Sequence, residues 1–212
     1  MSYHIHETEA IVLASRNVGE ADKIIRFYTK DFGTIAVIAK GVRLEKSKLR
    51  GSLDMCMHTR IAFVVGKDMY RLTDAYALDV YPLIGKEGPR FDALSAIARF
   101  VIGIASGEEP DVDLWALLSA TLGRVGSGVF GPEHVLPILY AFQAKALAHL
   151  GYMPEGQPEV VSELLRSGDI VPAVSLAELR KSEVREFFEQ IYFYALKEMR
   201  TPEDFASRQW AV

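Results

Sequence analysis

The chain has 212 residues, half of them apolar and a quarter charged, with a formal net charge of −4. That balance, with a mean hydropathy of +0.10, excludes a disordered chain and fits one large domain or two small ones. A single cysteine, Cys56, excludes an internal disulfide framework and an all-cysteine zinc site.

No stretch reaches the roughly 18–20 charge-free apolar residues that a membrane helix needs. The longest candidate, Ala93 to Ala105, is broken by Arg99 and Gly103. The first thirty residues carry Glu7, Glu9, Glu20 and Asp22 and lack a secretory apolar core, so no membrane association and a cytoplasmic location are expected. The charge is unevenly spread. Residues 1–80 hold 12 basic against 10 acidic side chains, whereas residues 81–212 hold 12 against 18. Positions 36–71 concentrate 8 basic against 3 acidic residues, and such a local patch is what a polyanion feels within one Debye length.

In chain order, the first eighty residues read as β. Glu9 to Ala14 is a short apolar run, and Lys23 to Tyr28 is rich in β-branched and aromatic residues, the composition of strands. Asp31-Phe32-Gly33 supplies turn chemistry, with Gly33 free to take positive φ, so Thr34 to Ala39 closes a hairpin on the second strand. A polar loop, Gly41 to Ser52, leads to a fourth strand near Met55 to Val65. Gly66-Lys67-Asp68 then turns into a fifth, Met69 to Leu78. Five strands in so short a span suggest a small barrel of the oligonucleotide-binding (OB) type.

After Pro82 the period becomes helical. Phe91, Leu94, Ile97, Ala98, Val101 and Ile102 stripe a first helix, ended by Gly107. Asp111 is placed to cap a second through Leu122. Val135 to Leu150 stripes a third, which stops at Gly151. A short helix is expected around Val160 to Arg166, and a last one from Val184 to Met199 with Ser182 as its N-cap. The fold class is α+β in two domains: an OB-fold barrel over residues 1–80 and an all-helical domain over 81–212.

Enzymatic motifs are mostly absent: there is no Walker A loop, no H-E-x-x-H and no G-x-S-x-G. Gly126 to Gly131 matches G-x-G-x-x-G, but a dinucleotide fingerprint must follow a strand and open a helix, and here a helix precedes it. His4/His6 and Cys56/His58 would each face one side of a strand and could converge on zinc if the strands were neighbours in the right register. Ordinary terminal histidines and a small buried cysteine are the preferred account. No catalytic residue, metal or cofactor is therefore expected.

The basic loop carries more information. Lys40, Arg43, Lys46, Lys48 and Arg50 face only Glu45 between positions 40 and 50, and Gly41, Ser47 and Gly51 leave the backbone pliable enough to approach phosphates. With Arg16, Lys23, Lys67 and Arg71 they form the candidate DNA-binding set. Tyr28, Phe63, Tyr70 and Tyr76 are candidate rings for base stacking, although strand aromatics more often serve the core.

Glu9-Ala10-Ile11-Val12-Leu13, Arg16-Asn17-Val18-Gly19-Glu20-Ala21-Asp22-Lys23, Phe32-Gly33, Ala39-Lys40-Gly41-Val42-Arg43 and Lys46-Ser47 occur in the order and spacing of the bacterial DNA repair protein RecO family, which the chain resembles. Phe142, Lys145, Leu147 and Leu150-Gly151-Tyr152-Met153-Pro154 add a second, weaker block, and beyond residue 155 the likeness is thin. The resemblance implies a non-enzymatic recombination mediator. Such a protein binds single- and double-stranded DNA, anneals complementary strands and acts with RecR and the single-stranded DNA-binding protein SSB, through its C-terminal tail, to load a recombinase. Where many relatives carry four zinc-binding cysteines this chain has Gln157-Pro158-Glu159-Val160-Val161, so it resembles a short, zinc-less variant. The alternative from a different class is a protein-interaction adaptor with a helical docking domain and weak or no DNA binding, which the acidic second half would suit.

Overall fold

The computed structural model describes residues 4–79, 88–105, 107–127, 132–168 and 176–199. The strands are β1 (Ile5–Val18), β2 (Asp22–Thr29), β3 (Gly33–Ala39), β4 (His58–Val65) and β5 (Tyr70–Asp79). They form a closed barrel in the order β1-β2-β3-β5-β4, the five-stranded OB-type architecture expected from the strand count. Six helices follow among the described residues: α1 (Pro89–Ile104), α2 (Val112–Gly126), α3 (Val135–His149), α4 (Glu159–Arg166), α5 (Leu176–Leu179) and α6 (Ser182–Met199).

β1 is longer than its apolar run because it has two partners. Its first half pairs with β4, Ile5 opposite Val64 through Ile11 opposite His58. Its second half pairs with β2, Ala10 opposite Thr29 through Val18 opposite Asp22. A register shift between Val12 and Ala14 bends the strand so that one segment serves both sheet faces of the closure. β3 alternates buried and half-buried positions from Gly33 to Ala39, and Phe27, Ile35, Val37, Ile61 and Phe63 fill the barrel interior at 0–1% exposure. The barrel is sealed weakly at one seam. β3 meets β5 in parallel through only two pairs, Val37 with Tyr70 and Ile38 with Arg71.

Several expected boundaries shift, among them the end of α2, at Gly126 rather than Leu122, and β5, one residue later at both ends. Met55 to Met57 lie outside β4. The chain turns there, with Met57 N–H donating to Asp54 at 3.2 Å and Cys56 at φ +64°. It still bonds β1 beside the bulge, Cys56 N–H to the Val12 carbonyl at 2.8 Å. Ser182 is the first residue of α6 rather than its cap, because Val184 and Arg185 already donate to the Lys181 carbonyl. By contrast, Asp111 caps α2 as its position suggested, its Oδ1 accepting Leu114 N–H at 2.9 Å.

The chain divides into two compact units. The first combines the barrel with a later segment, Ala105–Trp115, which lies over the β2–β3 hairpin as a strap. Thr34 donates its N–H to Gly107 at 2.8 Å and its hydroxyl to Ala105 at 2.6 Å. Trp115 packs its ring against Tyr28 and edge-on to His58. Gly33, at φ +59°, sits so close beneath the strap that a Cβ there would lie 2.5 Å from the Glu109 carbonyl oxygen. The second unit is helical among the described residues. α3 runs through its middle with Ala141, Phe142, Ala144 and Leu147 buried, Phe142 edge-on to Phe100 of α1 and Tyr140 stacked on Phe188 of α6. No described helix is long and apolar enough to cross a membrane.

Candidate nucleic-acid interface

The β2–β3 hairpin explains how the basic residues gather. Its register pairs Thr29 with Gly33 and Lys23 with Ala39, and one step further places Asp22 beside Lys40. There the Lys40 ammonium donates to Asp22 Oδ2 at 2.7 Å, and the Gly41 N–H donates to Oδ1 at 2.8 Å. Gly41 can aim its N–H this way because it takes φ +64°, a region open to glycine without steric cost. Arg43 then fastens the same two turns together, its N–H on the Ala21 carbonyl at 2.9 Å and its Nη1 on the Gly19 carbonyl at 3.2 Å. Two separate sequence blocks, 16–23 and 39–43, thus form one bonded platform. The Lys40 hydrogen bond and then the Gly41 N–H hold the Asp22 carboxyl below the usual carboxylate range, with smaller help from the charge of Arg71.

Beside this platform a groove of about 980 Å³ follows the weak β3–β5 seam and the β4–β5 turn. Lys40, Lys67 and Arg71 stand around it, Asp68 is the one acid in its lining, and Ile5, Ile38, Val64 and Leu72 form an aliphatic floor. A smaller hollow of about 370 Å³ is lined by Asn17, Lys23, Val42, Arg43 and Leu53. Lys40 lines the larger hollow and Arg43 the smaller. Arg16, half-buried on β1 opposite Ile24, lines neither hollow. Lys46 and Lys48 are exposed on the loop, and Arg50 opens a 3-10 turn, Arg50–Ser52.

The four candidate stacking rings separate sharply. Tyr28 and Phe63 are core residues at 1% exposure. Tyr70 lies edge-on against Phe63 and donates its hydroxyl to the Glu108 carboxylate at 2.7 Å. Only Tyr76 is open to solvent, and it lies on β5 opposite Arg60. Phe63 is buried by barrel closure, which turns every second strand residue inward, whereas Tyr28, next to the inward-facing Phe27, points outward and is covered by Trp115 of the strap.

The His/Cys arrangement is also decided by register. β1 and β4 are neighbours, but His6 faces Phe63 and His58 faces Ile11, five residues apart along β1, or roughly 17 Å. His6 stacks on Phe63. His58 lies between Glu9 and Asp79, at 3.2 and 2.9 Å. Cys56 is buried, and burial pushes its thiol up to about 12. His4 and His6 meet edge-on, but the two pairs do not converge. Of the glycine-rich segment, Gly126 ends α2, and residues 128–131 lie outside those described.

Residues 1–81 match the family model "Recombination protein O N terminal". Curated proteins named DNA repair protein RecO are similar over most of this chain. The one from Heliobacterium modesticaldum is 32% identical over 151 residues, 71% of this chain and 53% of its own. The one from Gloeothece citriformis is 28% identical over 156 residues, 73% of this chain and 53% of its own. The one from Myxococcus xanthus is 29% identical over 155 residues, 70% of this chain and 60% of its own. The chain belongs to the RecO family. It spans about half the length of the first two of these relatives. For a RecO-family barrel, the residues that sequence reasoning passed over are Asp22, which it had only as part of a motif, and the aliphatic floor. Hairpin register alone could have paired Asp22 with Lys40. The floor needed the β3–β5 seam, which joins segments far apart in the chain.

Proposed function

We propose that this protein is a DNA-binding recombination mediator in DNA repair, working without catalytic residues or cofactors. Its DNA-binding residues are Lys40, Arg43, Lys67 and Arg71 with Lys23, on a barrel domain over residues 1–80. The observation that carries this reading is the cationic rim of Lys40, Lys67 and Arg71 around one groove, on a chain whose relatives are named DNA repair protein RecO. Phosphates neutralised along such a rim repel one another less, which favours the meeting of complementary strands. Sequence preference is weak, because phosphate contacts carry no base information and the described residues lining the groove include no aromatic ring. RecR and the SSB tail are the protein partners that membership of the family suggests.

The test is a titration of labelled oligothymidylate against the 212-residue protein across salt concentrations. Contacts to three or four phosphates of a single strand give a log–log slope of roughly −2 to −3. A slope near zero overturns the reading. It would favour the adaptor reading, for which α6 offers Phe193 and Tyr194 at 72% and 57% exposure.

A further inference from the structure

We propose that Asp22 is a built-in competitor for the DNA phosphate, occupying the anion seat made by Lys40 and Gly41 until a strand displaces it. The inference rests on the DNA-binding reading above. The Asp22 carboxylate accepts the Lys40 ammonium at 2.7 Å and the Gly41 N–H at 2.8 Å. A phosphate oxygen would seek the same two donors: a lysine and a backbone N–H from a glycine turn at positive φ. The seat opens toward solvent, since the Lys40 side chain is 53% exposed and that of Asp22 22%. Lys40 is shared with the groove that also holds Lys67 and Arg71, so the seat continues the cationic rim. The same two donors, Lys40 and Gly41, hold the Asp22 carboxyl below its ordinary value.

The exchange balances in charge. A phosphate oxygen takes the Lys40 and Gly41 donors, and the released carboxylate takes up a monovalent cation from solution. That uptake cancels the counterion which the DNA releases at Lys40. In the wild type, therefore, Lys40 adds little to the salt dependence of binding. The platform itself need not move, because Arg43 holds the two turns together through the Ala21 and Gly19 carbonyls, independently of Asp22.

Asp22→Asn tests this, because its amide oxygen still accepts the Gly41 N–H while the charge on Lys40 is released. The probe is labelled oligothymidylate, read at about 50 and 200 mM salt. The expected result is tighter binding with a slope steeper by about 0.7, so that the advantage shrinks about 2.6-fold across that range. In a Lys40→Ala background the steepening disappears. A diffuse charge effect would persist there, and its persistence overturns the proposal. So does an unchanged or weaker affinity of Asp22→Asn with circular dichroism intact. Absence of binding by both wild type and Asp22→Asn overturns the DNA-binding reading and this inference with it, whereas binding by both without a gain overturns the inference alone. Should Asp22→Asn fail to fold, the wild type gives a second reading. The Asp22 carboxyl 13C resonance and the Gly41 amide must shift on adding the oligonucleotide, and resonances that stay fixed at saturation overturn the proposal.

Discussion

At the scale of single residues, equal charges have unequal standing on this surface. Lys40 and Arg43 are already oriented by Asp22 and by the Gly19 carbonyl, so little rotamer freedom remains for DNA to remove. Lys46 and Lys48 stand exposed on the loop, and ordering each costs up to about 1.5–2 kcal/mol. Replacing Lys40 also strands the Asp22 carboxylate without its main counter-charge. Lys40→Ala with Arg43→Ala is therefore expected to weaken oligonucleotide binding about threefold more than Lys46→Ala with Lys48→Ala, a difference within the ~0.2–1 kcal/mol of an exposed charge pair. Anisotropy titrations at one salt concentration check it, with equal losses for the two pairs as the contrary result.

At the scale of elements, the strap and the β2–β3 hairpin depend on each other through Gly33. An alanine there meets two penalties, the left-handed backbone and the Glu109 and Gly107 carbonyl oxygens at 2.5 and 2.8 Å from its Cβ. Gly19 has a similar φ of +56° but nothing within 4 Å of a Cβ, so only the backbone penalty of ~1–2 kcal/mol applies. Urea unfolding should show a loss of about 2–4 kcal/mol for Gly33→Ala and ~1–2 kcal/mol for Gly19→Ala. Equal midpoints would mean that the strap is not seated as described. The hairpin was legible in the sequence, because Asp31-Phe32-Gly33 is local turn chemistry between two apolar runs. So were the stripes of α1, α3 and α6, since a helix announces itself through side chains three and four apart. The strap was not legible. It reads as an acidic, proline-bearing linker, and it is held largely by carbonyls of Ala105 and Gly107, which leave no mark on residue type. The ends of β1 were hidden for a related reason: Ile5–Thr8 and Ser15–Val18 are strand only because β4 and β2 stand beside them.

At the scale of the whole molecule, Cys56 reports on the barrel's integrity. It is 4% exposed, and with the thiol pushed up to about 12, roughly one in ten thousand is ionised at pH 8. Alkylation of the native protein should therefore proceed only through opening of the fold and accelerate with urea in step with unfolding. Labelling of the native chain at the rate of a free cysteine would contradict the burial. The strap has a further consequence, for the order in which the protein is made. The last barrel strand ends at Asp79, but the strap spans Ala105–Trp115, on the far side of α1. At ~5–20 residues per second a ribosome delivers Trp115 roughly 2–7 s after Asp79. Throughout that interval the nascent barrel has all five strands and no cover over Tyr28 or Thr34. A chaperone or a protease that samples newly made chains meets this protein first as an uncovered barrel.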